Sequence, residues 1–157
     1  MIVVADTAPL NYLILIEHID VLAPLYREVL IPPAVQDELL SPLAPAAVRS
    51  WIFNPPEWLE FERQLGRRNR CILVWTRVNE KRLLWRRLGV RAQFFSSMTY
   101  LGVVRGARLG LRVVGTLGVL LRAHELGLLD IREAVERLKA TNFNGTDDLF
   151  ERFLKQA

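Results

Sequence analysis

The tetrapeptide Ile2-Val3-Val4-Ala5, followed at once by Asp6-Thr7-Ala8-Pro9, constrains this chain more than any other feature of it. Four apolar and mostly β-branched residues are too few for a helix and suit a strand buried on both faces, as in a parallel sheet. Pro9 fits the first turn of a helix, where its missing N–H is not needed, and Leu10, Leu13 and Ile14 then fall on one helical face. The pattern recurs. Residues 21–26 read as a short helical piece, and Glu28-Val29-Leu30-Ile31 as a second strand. Pro32-Pro33 stops that strand before a short helix over 34–40 that carries Asp37 and Glu38, and a further helix is expected over 46–54. Strands alternating with helices at this spacing predict an α/β fold built on a parallel sheet.

The last third of the chain is equally regular. Leu111-Arg112-Val113-Val114 reads as a strand, and Gly115-Thr116 turns into a helix over about 117–126 that Gly127 closes. Asp130 with Glu133 has the form of a capping box, and Ile131, Ala134, Val135 and Leu138 follow at helical spacing. Residues 142–146 make a turn, and Leu149, Phe150, Phe153 and Leu154 mark a final amphipathic helix. There are no internal repeats.

A chain of 157 residues predicts one domain, residues 1–157. Its 51% hydrophobic and 24% charged residues exclude disordered and collagen-like classes. Asp6, Asn11, Glu17 and Asp20 interrupt the apolar N-terminus well short of the ~18 residues a membrane helix requires. No membrane association is expected, and with no basic stretch ahead of that run, no signal peptide either. Cys71 is the one cysteine, which excludes an internal disulfide framework and a cysteine-cluster zinc site. A cytoplasmic location is the expectation.

The net charge of +4 is unevenly distributed. Residues 1–62 carry −7, residues 63–112 carry +12 and residues 113–157 carry −1. Outside the central block the chain is acidic, at −8. From Gly66 to Arg91, Arg and Trp are scattered with neither a 2.0 nor a 3.6 period, and 18 of the chain's 21 basic residues are Arg. Within this irregular central segment only residues 93–104 would pass as a strand. A basic block of this kind suits contact with nucleic-acid phosphates, with Trp75 and Trp85 available to stack on bases.

The chemistry centres on acids. Asp6 follows a buried strand at its carboxyl end, where open α/β sheets bind their ligands. A carboxylate there, next to the Thr7 hydroxyl, can ligate Mg²⁺ or Mn²⁺ through hard oxygen. It can equally cap the helix that begins near Pro9. Glu38 reads locally as a solvated acid on a short helix, and His18 and His124 as lone surface or core histidines. Gly115-Thr116-Leu117-Gly118 could approach a phosphate at a helix N-terminus, although a tight strand-to-helix turn explains it as well.

Three segments taken together, VVADTAPLNYLILIEHIDVL, VLIPPAVQDELL and GLRVVGTLGVLLRAHELGLL, resemble a prokaryotic PIN-like subgroup related to the VapC toxin ribonucleases. The resemblance covers about residues 2–62 and 109–155, in the family's order. It implies a three-layer α/β fold whose central parallel sheet is flanked by helices, and an acidic site that holds Mg²⁺ or Mn²⁺ to hydrolyse RNA. By that resemblance Asp6 is the first catalytic and metal-holding acid, Glu38 the second, and Thr7 a supporting hydroxyl. RNA, a cognate antitoxin protein and a second copy of the chain are the partners it implies.

The family supplies further acids from a Gly-Glu-Ala-Glu-like helix start and from an apolar strand ending in Asp. Both belong between residues 63 and 108, where this chain has Arg67, Arg68, Met98 and Thr99 instead. The genetic code offers a reason. Read one base earlier, the codons of Gln93-Phe94-Phe95-Ser96-Ser97 give apolar residues, and the last base of Met98 with the first two of Thr99 gives GAC, an Asp codon whatever synonyms are used. Gly66-Arg67-Arg68-Asn69 can spell Glu-Ala-Glu in the same frame, with Arg67 as AGG and Arg68 as CGG. About residues 66–106 therefore read as a segment translated out of frame, between two compensating single-base shifts. The competing reading is a genuine basic insert that binds RNA. Expected of the chain as written is an impaired ribonuclease, or else a non-catalytic protein that binds nucleic acid or an antitoxin.

Overall fold

The computed structural model describes residues 2–26, 28–61, 93–95 and 112–156. The chain opens with strand β1 (Ile2–Ala5), helix α1 (Thr7–Leu15), a 3-10 turn (Ile19–Val21) and the short α2 (Leu22–Leu25). Strand β2 (Glu28–Ile31) follows, then α3 (Pro33–Leu39), α4 (Ala46–Phe53) and strand β3 (Leu59–Phe61). Beyond the central block come β4 (Gln93–Phe95), β5 (Arg112–Val114), α5 (Thr116–Glu125), α6 (Ile131–Lys139) and α7 (Asp147–Gln156).

The strands form one five-stranded sheet in the order β3-β2-β1-β4-β5, and every pairing is parallel. Val3 lies between Val29 and Gln93, and Ala5 is level with Phe95, which is level in turn with Val114. The chain builds outward from β1 through β2 to β3, then places β4 on the other side of β1. The order therefore reverses between β1 and β4. Parallel α/β sheets open a ligand crevice at the carboxyl ends of the strands where such a reversal occurs.

The expected strands at the start and end of the chain form within a residue of their anticipated bounds. The helix expected over 34–40 starts at Pro33, whose fixed φ and missing N–H suit the first helical position. The helix over 117–126 starts one residue early, at Thr116. Strand β3 had no counterpart in the reading of the sequence, because three residues after Pro55-Pro56 carry no periodic signal. Of the strand expected over 93–104, Gln93–Phe95 forms and pairs beside β1. Residues 96–104, and the block from 66 to 92, lie outside the described residues.

Apolar side chains of the sheet and of α1, α3, α4, α5, α6 and α7 form one buried cluster that includes Val3, Val29, Ile31, Leu13, Leu39, Leu120 and Leu138. Helix α1 packs against α3, α4 and α5, so the helix that leaves β1 touches the elements on both flanks of the sheet. Leu13 has no exposed surface, and truncating such a side chain to alanine costs about 2–5 kcal/mol. Asp130 caps α6, its Oδ1 accepting from the N–H groups of Arg132 and Glu133 at 2.7 and 3.2 Å. The Glu133 carboxylate, the other half of the anticipated capping box, accepts from Arg137 at 2.8 Å.

Helices α1 and α5 end in the same way. His18 N–H reaches Leu13 C=O and Glu17 N–H reaches Ile14 C=O, which is a Schellman motif with Glu17 at φ 60°. In α5, Leu128 N–H reaches Ala123 C=O and Gly127 N–H reaches His124 C=O, with Gly127 at φ 70°. Arg137 ties the first of these ends to α6 by donating to Ile16 C=O and to the Glu17 carboxylate. Among the described residues no helix is long and apolar enough to cross a membrane.

Candidate functional site

Asp6 is the first residue beyond β1, at the carboxyl edge and at the reversal of strand order. Its backbone is extended (φ −89°, ψ 163°), and its Oδ1 accepts from Thr7 N–H at 2.9 Å. Asp6 thus caps α1, one of the two roles its sequence allowed. Capping does not exhaust a carboxylate, which has roughly four acceptor positions. Only 8% of the residue is exposed, and the positive end of the α1 dipole favours a negative charge there.

Glu38 reaches the same place from another element. Because β2 pairs in parallel beside β1, the two strands end at the same edge, and α3 starts there at Pro33. Val35 and Leu39 face the core, one helical turn apart, while Glu38 stays exposed next to them. The Thr7 hydroxyl donates to Glu38 Oε2. Thr7 therefore serves both acids, with its backbone N–H on Asp6 and its side chain on Glu38. The local reading of Glu38 as an unremarkable surface acid missed this contact, because the two residues are 31 positions apart.

The segment Gly115-Thr116-Leu117-Gly118, weighed in the sequence as a phosphate-approaching turn or a plain strand-to-helix turn, places one more polar side chain near this edge, and its burial was not anticipated. Among the described residues, Asp6 and Thr116 are the two buried polar ones, and Thr116 is 4% exposed. It begins α5 two positions beyond the end of β5. Nothing in the segment GTLG signals burial, since a threonine at a helix start is ordinarily solvated.

The histidines stand apart from this edge. His18 lies beyond the C-terminal end of α1, and His124 Nδ1 contacts Leu129 C=O at 3.1 Å in the connection from α5 to α6. Burial and the nearby Arg137 guanidinium hold the His18 pKa below its ordinary value, with Glu133 and Glu17 partly opposing them.

Asp6, Glu38 and Thr7 present hard oxygen donors, the type that Mg²⁺ and Mn²⁺ prefer. The chemistry of the set fits such an ion. Its number of acids is two: among the described residues no group of three or more His, Cys, Asp or Glu gathers where it could hold a metal. The positions of Arg67, Arg68, Met98 and Thr99, where further acids would be expected, lie outside the described residues.

Comparison with known proteins adds one match. The sequence model of a family described as a PIN domain matches residues 2–65 and again 104–157. No curated protein and no solved structure matches the chain.

Proposed function

The chain belongs to the PIN domain family, and from that membership together with the Asp6–Thr7–Glu38 cluster we propose a metal-dependent ribonuclease site whose activity is impaired in the chain as written. The observation that carries this reading is the Thr7 hydroxyl bond to Glu38, which gathers two sequence-distant acids beside the strand reversal. Asp6 and Glu38 would hold Mg²⁺ or Mn²⁺, and Thr7 keeps their carboxylates in place. When bound, such an ion activates water and offsets the charge that develops on a phosphate in hydrolysis. RNA is the substrate class, and the toxin member of a toxin–antitoxin pair is the biological role, with a cognate antitoxin protein and a second copy of the chain as partners.

Impairment follows from the number of acids. Two carboxylates hold a divalent ion weakly and leave much of its charge uncompensated. The family match stops at residue 65 and resumes at 104, and this interval coincides with the Arg- and Trp-rich block that reads as out of frame. That coincidence supports residues 1–157 as a single PIN-like domain interrupted by an aberrant segment.

The test is thermal. Mn²⁺ stabilises a chain that binds it by an amount that grows with concentration. Wild-type protein should gain stability with Mn²⁺, Asp6→Asn should lose the gain, and RNA cleavage should be weak in both. Robust Mn²⁺-dependent cleavage that vanishes in Asp6→Asn would overturn the impairment. The +12 charge of residues 63–112 favours one second reading, a non-catalytic RNA-binding protein. Its binding would fall steeply with salt and survive Asp6→Asn.

A further inference from the structure

We propose that His18, Glu17 and Arg137 form a proton-controlled latch. With a neutral His18 the guanidinium holds the carboxyl end of α1 against α6, and a proton on the ring drives the two apart and loosens that junction while the core stays folded. The latch does not depend on the nuclease reading. It grips the far end of the helix whose first residue, Thr7, orders Asp6 and Glu38.

The carboxyl end of a helix leaves carbonyls that the helix itself cannot satisfy. In α1, the carbonyls of Leu13 and Ile14 accept from the N–H groups of His18 and Glu17 at 2.9 and 3.0 Å. The buried Ile16 offers its C=O to Arg137, which donates from α6 at 3.3 Å. The same guanidinium pairs with the Glu17 carboxylate at 3.0 Å and, within α6, with Glu133 at 2.8 Å. Arg137 thus spans the junction between two helices, close enough to His18 to act on its charge.

His18 Nε2 is buried and has no hydrogen-bond partner. A proton on the ring makes both nitrogens donors, so Nε2 becomes a buried N–H with no acceptor, and the ring becomes a cation beside a guanidinium. The charged groups around it are Arg137 and Glu133 of α6 and Glu17 at the end of α1, with Asp20 in the turn that His18 begins and none in α2. Burial and Arg137 outweigh the two glutamates and hold the His18 pKa below its ordinary value. The neutral ring therefore belongs to the closed latch, and the charged ring to an open one in which Nε2 meets water.

Helix α5 ends in the same two backbone bonds, also beside a histidine, and supplies the contrast. His124 Nδ1 lies 3.1 Å from Leu129 C=O, so a proton on that ring has an acceptor. The ion pair near it, Arg122 with Glu125, lies within α5 and ties it to no other helix. Acid should therefore loosen the end of α1 and spare the end of α5. The closed latch is complete above about pH 6.5 and is lost as pH falls from there through the lowered native pKa of His18.

The test is amide hydrogen exchange of the full chain between about pH 7.5 and 5.5, corrected for the intrinsic rate, with the His18 ring titrated by NMR in the same samples. Protection of the Glu17 and His18 amides should fall at least about threefold more than that of Gly127 and Leu128. The midpoint of that fall should match the ring titration of His18. His18→Gln should abolish the selective fall, and Arg137→Gln, which removes the repelling charge, should lessen it. Equal changes at the two helix ends, or a selective fall undiminished in either variant, would overturn the latch. Should a variant fail to fold, the wild-type midpoints decide, since a fall that does not track the His18 ring overturns it as well.

Discussion

The Thr7 hydroxyl donates to the Glu38 carboxylate, closing a contact across 31 positions of sequence, while the N–H of the same residue donates to Asp6. One threonine thereby orders two acids from different elements. Thr7→Val removes the hydroxyl at little change in size. The bond is exposed, so the expected loss of stability is small, at most about 1 kcal/mol. The Mn²⁺-induced rise in Tm should nonetheless shrink, because Glu38 loses its tether, and Thr7→Ser should recover it. Equal Mn²⁺ responses in Thr7→Val and wild type would separate Thr7 from the site.

His18 gives the fold a dependence on pH. Its Nε2 is buried without a hydrogen-bond partner, and burial first, then Arg137, lower its pKa from 6.5. The native chain therefore favours neutral His18, whereas the unfolded chain takes up a proton near the ordinary value. This contribution to stability is complete above about pH 6.5, is lost as pH falls from there towards the lowered native pKa, and levels off below it. Denaturant titrations of wild type and His18→Gln between pH 8 and 5 should diverge in slope in that window. Parallel curves would mean that His18 is not the titrating group.

The shared ends of α1 and α5 make a matched pair of substitutions. Both C′ residues have positive φ, yet one is Glu17 and the other Gly127. The left-handed conformation costs a residue with a Cβ about 1–2 kcal/mol. Gly127→Ala should destabilise by about that amount. Glu17→Gly relieves the same strain but breaks an exposed ion pair with Arg137, worth roughly 0.2–1 kcal/mol, so it should be neutral or mildly stabilising. Equilibrium unfolding of the two variants, at a fixed pH near 7, measures both signs.

The encoding DNA offers a check that needs no protein. Compensating single-base shifts should flank about codons 66–106, and correcting them should turn the Met98-Thr99 junction into an Asp codon. A chain expressed from the corrected gene should cleave RNA with Mn²⁺ more strongly than the present one. Related strains that preserve the Arg/Trp block with no such shift would remove the frame explanation and favour a real basic insert.

Much of the scaffold was legible because its signals are local. The apolar run of β1, the Pro-led starts of α1 and α3, the Asp130 cap and the Gly127 stop each lie within a few residues of what they specify. Strand β3 escaped because three residues at a sheet edge have no measurable period. Glu38 was legible only through family resemblance, since its own helix turn looks like any solvated surface. The burial of Thr116 was not legible, because it depends on what packs over α5 rather than on the residue's neighbours in sequence.

Local signals along the chain suffice for the alternation of short apolar strands with helices, for a parallel sheet, and for Asp6 at the carboxyl end of the first strand. Each follows from side-chain period and backbone preference over a handful of residues. The place of β4 beside β1, the meeting of Thr7 with Glu38, and the shared edge of Asp6 and Thr116 emerge from the folded chain. Those outcomes depend on which strand pairs with which, and strand pairing is set by the packing of the whole core rather than by any segment alone.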